Sequence, residues 1–372
     1  MPKTPRYFLF LSALLLSVLA CGESGEVTSD TIPPEQETGT SQEVLSKGER
    51  TLELDVNPSQ NGDYDQAIEH ARQLGAESIR LSVFWDELES APGVFNPEPN
   101  WLAIANDYYP ARGFRLSLVI AVLDTTEIRL PQDLQGKPLD HPEVIARFQD
   151  LLDYIAMQIP DLELTSLAIG NEIDGVLGAD PDAWGAYGTF YNAGADHARS
   201  LWPGVPVGTK VQYEGLLGPS AEFARSLNQS SDVIMTTYYP LRGDFTVREP
   251  GGIQSDFQRL VEAYPDREIQ ITEIGYPTAE ANKSSPHKQA EFIRHMFSAW
   301  DEHAEQITLL SYSWLSDLSG SSVKELSRYY DLSNRAFGEF LRTLGLRTYP
   351  GKGEDKPGYE SFQQEAAARG WE

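Results

Sequence analysis

The chain has 372 residues, with 56 acidic against 29 basic side chains and a formal net charge of −27, a balance that repels phosphate backbones and excludes nucleic acid as a partner. Hydrophobic residues make up 40% and aromatic residues 10%, enough for a large core and too much for a disordered chain. A single cysteine excludes an internal disulfide framework.

Lys3 and Arg6 precede an apolar run over residues 7–20 that is too short to span a bilayer comfortably. Val18-Leu19-Ala20-Cys21 follows, and small or apolar residues ending in Cys resemble the lipobox of bacterial lipoproteins. The resemblance implies removal of 1–20 as a signal peptide, acylation at Cys21 and a membrane contact made through that lipid. Gly22, where Asp would retain such a protein, resembles outer-membrane routing in a cell that has one. A plain secretory signal with an incidental Cys is the other reading, and both place the protein outside the cytoplasm. Residues 21–48, rich in Glu, Ser, Thr, Gly and Pro, read as a disordered acidic tether.

From residue 49 to 350 the texture is that of one folded domain. Short apolar runs at 52–57, 78–84, 116–123, 166–170, 205–211, 233–239, 269–274 and 308–314 predict eight strands. Helical patterns fall between or after them at 63–74, 101–112, 142–158, 182–201, 220–228, 253–264, 286–303 and 334–344. Asp182 and Ser220 are placed to cap, and Pro142 and Pro286 suit a first helical turn. Eight alternating β and α units predict an α/β fold of the (β/α)8 TIM-barrel type. An open doubly wound sheet is the alternative, without a G-x-G-x-x-G or Walker A segment to support it. Residues 351–372 read as a polar C-terminal tail.

Barrel chemistry sits at the carboxyl ends of the strands. There, the fourth predicted strand meets Asn171-Glu172 and the seventh meets Glu273. Two carboxyl groups facing each other across a barrel mouth suit glycosidic cleavage, in which one protonates the departing oxygen and the other attacks the anomeric carbon. Arg80 and a tyrosine at the end of the sixth strand are candidates to keep Glu273 ionised, and its charge would then raise the pKa of Glu172. Trp85 is a candidate for stacking a sugar ring or for a buried place at the barrel rim. Asp124 and Tyr276 are candidates for sugar hydroxyls or for local packing. The six histidines, His70, His141, His197, His287, His295 and His303, have no metal-ligand spacing; neither a metal nor another cofactor is expected, and no G-x-S-x-G elbow suggests a serine hydrolase.

The segments AIGNE at 168–172 and ITEIGYPT at 271–278 resemble the strand 4 and strand 7 signatures of clan A retaining glycoside hydrolases. The resemblance implies Glu172 as acid/base and Glu273 as nucleophile. It further implies Asn171 on the substrate 2-hydroxyl, Arg80 as the strand 2 arginine and Trp314 as the floor of the subsite beside the scissile bond. AIGNEIDGVL, DVIMTTYYPL at 232–241 and TEIGYP are most similar to the family 53 endo-β-1,4-galactanases. That likeness implies Tyr239 beside the nucleophile, with Tyr238 as second choice. The ending Leu123-Asp124-Thr125-Thr126 departs from that family, which carries a histidine there. The expected protein is therefore a monomeric enzyme acting on a β-linked polysaccharide or oligosaccharide; a non-catalytic glycan-binding lipoprotein on the same barrel is the alternative.

Overall fold

The computed structural model describes residues 45–371. The signal peptide, the Cys21 acylation site and the tether up to residue 44 lie outside the described residues. Among the described residues no helix is long and apolar enough to cross a membrane.

Eight parallel staves form a (β/α)8 barrel. In chain order they are β1 (Thr51–Asp55), β2 (Ser78–Phe84), β3 (Arg115–Asp124), β4 (Leu164–Asn171), β5 (Lys210–Gln212), β6 (Ile234–Tyr238), β7 (Ile269–Ile274) and β8 (Ile307–Ser313). β1 lies between β2 and β8, as closure requires. The fifth stave, expected as one strand, is broken at Thr209. Val207–Gly208 pairs with β4, whereas Lys210–Gln212 pairs with β6. Thr209 between them shares a 2.8 Å hydrogen bond with the buried Tyr187 hydroxyl, so the break joins the two ends of the sheet into a ring.

Between the staves run α1 (Tyr64–Gln73), α2 (Trp101–Tyr108), α3 (Pro142–Gln158), α4 (Pro181–Leu201), α5 (Ala221–Leu227), α6 (Ile253–Ala263) and α7 (Pro286–Glu302). Each strand is buried nearly throughout, which is why it reads as an unbroken apolar run rather than an alternation. Helix starts follow local chemistry. Pro142 and Pro286 stand in first turns, and the Ser285 hydroxyl accepts from the Lys288 amide. The cap of α4 is Asp180 rather than Asp182, because Pro181 begins the helix one residue earlier. Ser220 precedes α5 without a capping bond; its hydroxyl donates to the Gly178 carbonyl instead.

Three further helices follow β8: α8 (Gly320–Tyr329), α9 (Arg335–Arg342) and α10 (Pro357–Arg369). The helix α10 and the residue after it lie in the segment set apart above as a tail, yet they are packed. Trp371 stacks on Trp300 of α7 with ring centroids 4.9 Å apart. The Arg369 guanidinium bonds Asp301 and its carbonyl accepts from the Lys47 amide. Both ends of the described chain are thus fastened to α7.

Candidate active site

Glu172 follows the last residue of β4, with a backbone φ of 46° that L side chains rarely adopt. The surrounding chain holds it there. The Thr125 amide donates to the Asn171 carbonyl, the Gly175 amide to the Glu172 carbonyl, and the Ile173 amide to the Lys210 carbonyl. Gly170, at φ 83°, must be glycine, since a Cβ there would stand 2.6 Å from the Ile173 side chain and 2.8 Å from the Tyr187 hydroxyl. The Glu172 carboxyl then accepts from the Thr237 hydroxyl at 2.6 Å and from the Thr125 hydroxyl at 2.9 Å.

Glu273 lies within β7 near its carboxyl end. Its Oε1 meets the Lys210 Nζ at 2.5 Å and the Arg80 Nη1 at 2.8 Å, while Oε2 accepts from the Tyr239 hydroxyl at 2.9 Å. Arg80 is held in turn by the Asp55 carboxylate and the Thr272 carbonyl. Thr237 ties the two glutamates together. It sits opposite Glu273 in the β6–β7 ladder while its hydroxyl bonds Glu172. Adjacent strands lie less than 5 Å apart, about 4.8 Å, so the carboxyls converge from β4 and β7 on one interior space. Ladder irregularities fall beside these residues, at Thr236/Thr237 and between Ile271 and Ile274, the places where strand geometry re-aims side chains.

The two carboxyls are driven in opposite directions. Burial raises the Glu172 pKa well above the ordinary carboxylate range, and the Glu273 charge raises it further. Burial alone would raise Glu273 as well, but the Arg80 and Lys210 cations outweigh it and hold that carboxyl below its ordinary value. One site therefore contains a protonated and an ionised glutamate, the division of labour that acid-assisted displacement needs.

Asn171 donates to Asp124 at 2.8 Å, and Tyr329 of α8 donates to the other Asp124 oxygen at 2.6 Å. The Asn171 Oδ1 is buried and has no partner among the described residues. Trp314 and Tyr239 pack with Phe245, Tyr330, Phe337 and Phe340 in an apolar cluster supplied largely by α8, α9 and their connections. Tyr239 of this cluster bonds Glu273, and Tyr329, packed against it, bonds Asp124; Glu172 and Glu273 are each 0% exposed.

The other candidates point elsewhere. Tyr238 faces away from its neighbour Tyr239, as alternation along a strand requires, and bonds Asp256 of α6 at 2.6 Å. Tyr276 packs on Phe292 and donates to the Arg248 carbonyl. Trp85 is fully buried between Phe148 of α3 and Phe190 of α4, with its indole nitrogen donating to Glu89. These three contacts are packing contacts outside the ring of staves, so none of the three is placed to bind the substrate of this site. Sequence reading missed Asp55, Thr125, Lys210 and Thr237. Lys210 carried a signal, as a lone charge inside the apolar run VGTKV. Among the described residues no group of three or more His, Cys, Asp or Glu is placed to hold a metal ion.

Comparison with solved structures supports the barrel assignment, and the similar chains are described as glycoside hydrolases. An exo-β-1,4-mannosidase from an Opitutaceae bacterium, strain TAV5, superposes with a TM-score of 0.65 at 17% identity, over 86% of this chain and 59% of that one; this chain thus spans under two thirds of that enzyme's length. A family 5, subfamily 18 variant from Streptomyces cattleya, in complex with Man-β-1,4-GlcNAc, gives 0.64 at 18% identity, over 87% of this chain and 81% of that one. The family 53 catalytic domain of Ignisphaera aggregans gives 0.61 at 16%, over 87% and 97%. No protein-family model matches the chain, and neither does any curated protein.

Proposed function

We propose that the chain is a retaining glycoside hydrolase that cleaves β-linked polysaccharide or oligosaccharide by double displacement. The observation that carries this reading is the geometry of the pair: Thr237 bonds Glu172 and sits opposite Glu273, which Lys210, Arg80 and Tyr239 hold, with the Glu172 pKa pushed up and the Glu273 pKa pulled down. In the first step a Glu273 oxygen bonds the anomeric carbon as the bond to the departing oxygen breaks, and that oxygen takes the Glu172 proton. In the second, water attacks the anomeric carbon and gives its proton to Glu172 while the Glu273–carbon bond breaks. The buried Asn171 Oδ1 is a ready acceptor for a sugar hydroxyl, and Tyr239 and Arg80 hold the nucleophile.

The finer reading, an endo-β-1,4-galactanase-like specificity, draws on the TEIGYP and AIGNEIDGVL segments and on the fold shared with a family 53 domain. The β-1,4-mannosidase and the Man-β-1,4-GlcNAc complex among the similar structures make β-1,4-mannosides the competing substrates. A second reading is glycan binding without turnover, in which the two fully buried carboxyls never meet a scissile bond. The test is reducing-sugar release from β-1,4-galactan, mannan and glucan by wild type and Glu273→Ala. Release by wild type alone supports the hydrolase; binding to a glycan without release by either supports the second reading.

The same proposal places the protein outside the cytoplasm, acylated at Cys21 and held to a membrane by that lipid. Labelled palmitate incorporated into wild type but not Cys21→Ala is the expected result.

A further inference from the structure

We infer that Lys210 is a positioning residue for the nucleophile, a buried cation that keeps the site electrically balanced through both displacement steps. The inference rests on the retaining-hydrolase reading above and adds a residue to it. Lys210 stands in β5, between the strands that carry the two glutamates, and its side chain and that of Glu273 are both 0% exposed. An ammonium is stable there only against an anion, because taking it out of water is costly.

Charge counting shows what Lys210 is for. The buried ion pairs join two cations, Arg80 and Lys210, to two carboxylates, Glu273 and Asp55; burial pulls the Lys210 pKa down and pushes the Asp55 pKa up, and the ion pairs oppose both shifts. The buried Glu53 carboxyl on β1, bonded by the Ser78 and Ser117 hydroxyls, also acts on Arg80. Glu172 is protonated in the free site because burial and the Glu273 charge raise its pKa. Asp124 on β3 is satisfied by Asn171 and Tyr329, and Asp174 bonds the Gln212 amide; burial raises both pKa values, that of Asp174 to about 7. The Tyr239 and Tyr330 phenols, raised by burial, stay neutral. Two cations thus meet two carboxylates in direct ion pairs, Arg80 with Asp55 and Glu273, and Lys210 with Glu273. Without Lys210 the Arg80 guanidinium alone would face both carboxylates, and Glu273 would lose one of its two cationic partners. When Glu273 becomes an ester its charge is lost, and Glu172, having given its proton to the departing oxygen, supplies the second anion. Arg80 and Lys210 still face two carboxylates, now Asp55 and Glu172. Lys210 thus holds Glu273 ionised for attack and then stabilises the Glu172 carboxylate that accepts a proton from water, with no proton drawn from bulk solvent between the two steps.

The test uses Lys210→Met and Lys210→Arg in the full chain, read by carboxyl 13C NMR titration of Glu273 and by the pH profile of kcat/KM on an aryl glycoside that wild type cleaves. Lys210→Met should move the Glu273 titration and the acid limb of the profile up by about 1–3 pH units. It should also slow turnover of the glycosyl-enzyme at least tenfold, and Lys210→Arg should restore most of both. A folded Lys210→Met protein whose Glu273 titrates as in wild type overturns the inference. If Lys210→Met does not fold, the reciprocal measurement decides. The Lys210 ammonium should titrate lower in Glu273→Gln than in wild type, and equal titration in both overturns it. Both NMR readouts need no turnover, so a wild type inert on every sugar would sink the hydrolase reading while Lys210 is still judged.

Discussion

Opposite pKa shifts on two glutamates give opposite signatures in stability as well as in rate. Glu172 has a folded-state pKa raised above its unfolded value, chiefly by burial. Its contribution to stability is full below the unfolded value of about 4.3 and is lost as pH rises through the folded value. Glu172→Gln should therefore match wild type near pH 4 and become progressively more stable above it, by up to about 1.4 kcal/mol per pH unit until the folded pKa is passed. Glu273 is depressed, by Arg80 and Lys210 acting against burial, so its contribution is present above about pH 4.3 and lost as pH falls. Glu273→Gln should be less stable than wild type at neutral pH, with the gap closing in acid. Thermal unfolding across pH 3–9, a range of about six units, checks both, and a pH-independent difference for either variant contradicts the assignment. In rate, Tyr239→Phe removes one hydrogen bond to an ionised group, worth about 1.5–3 kcal/mol, and should cost kcat/KM roughly tenfold or more with the fold intact. At this scale the sequence showed the two glutamates, Asn171 and Tyr239 at strand ends, where barrel chemistry collects, and Arg80, the third residue of β2, through its likeness to the clan A strand 2 arginine. It did not show Thr125, Thr237 or Asp55, which are ordinary polar residues until the fold aims them at the pair. Tyr238 stood second to Tyr239 in sequence, and Trp85 and Tyr276 suited packing as well as sugar binding. Only the direction of each side chain, toward the axis or toward the helices, separates them from Tyr239.

The connection that carries Glu172 depends on how closely two loops approach. A Cβ at Gly175 would lie 2.0 Å from the Thr125 carbonyl oxygen, which is backbone and cannot swing aside. Thr125 in turn donates to Glu172. Gly175→Ala should therefore displace the acid/base and lower kcat/KM by more than tenfold, an expected loss on the scale of about 1.4 kcal/mol or more, and Glu172→Ala should lose about 10²–10⁴ on substrates with poor leaving groups. A Gly175→Ala enzyme with unchanged kinetics would show that the two loops adjust independently. The helix α10 makes a separate prediction. Trp371 is 2% exposed and stacks on Trp300 beneath the Arg50 guanidinium. Trp371→Ala should cost about 3–5 kcal/mol in chemical denaturation, whereas a loosely attached tail would cost nearly nothing. The barrel elements were legible because buried parallel strands are apolar throughout and their helices are amphipathic. α10 was read as tail because its surface is polar, although Tyr359, Phe362 and Ala366 carry a helical apolar spacing. α8, which no predicted helix covered, has no fully buried residue, although Val323, Leu326 and Tyr329 recur at helical spacing and pack on the Trp314 cluster.

Across the whole molecule, ring closure turns separate strand endings into one site. β4 and β7 are not neighbours, and Glu172 and Glu273 meet only because the fifth stave joins β4 to β6 on either side of Thr209. A net charge of −27 suits neutral glycans over phosphate-bearing partners, and among the described residues no group of three or more His, Cys, Asp or Glu is placed to hold a metal ion. Activity should accordingly survive excess EDTA, and its loss would show that a metal enters the site from residues not considered above. The Glu172 and Glu273 carboxyls are both fully buried, so a sugar reaches them only when surrounding groups move aside. The proposed mechanism turns on Glu273 as the nucleophile at the anomeric carbon. The most direct measurement is trapping with a panel of activated 2-fluoro glycosides, followed by peptide mass spectrometry of the labelled protein. The account predicts one sugar covalently attached at Glu273, and none in Glu273→Gln. A label on another residue, or hydrolysis with inversion at the anomeric carbon, would contradict it.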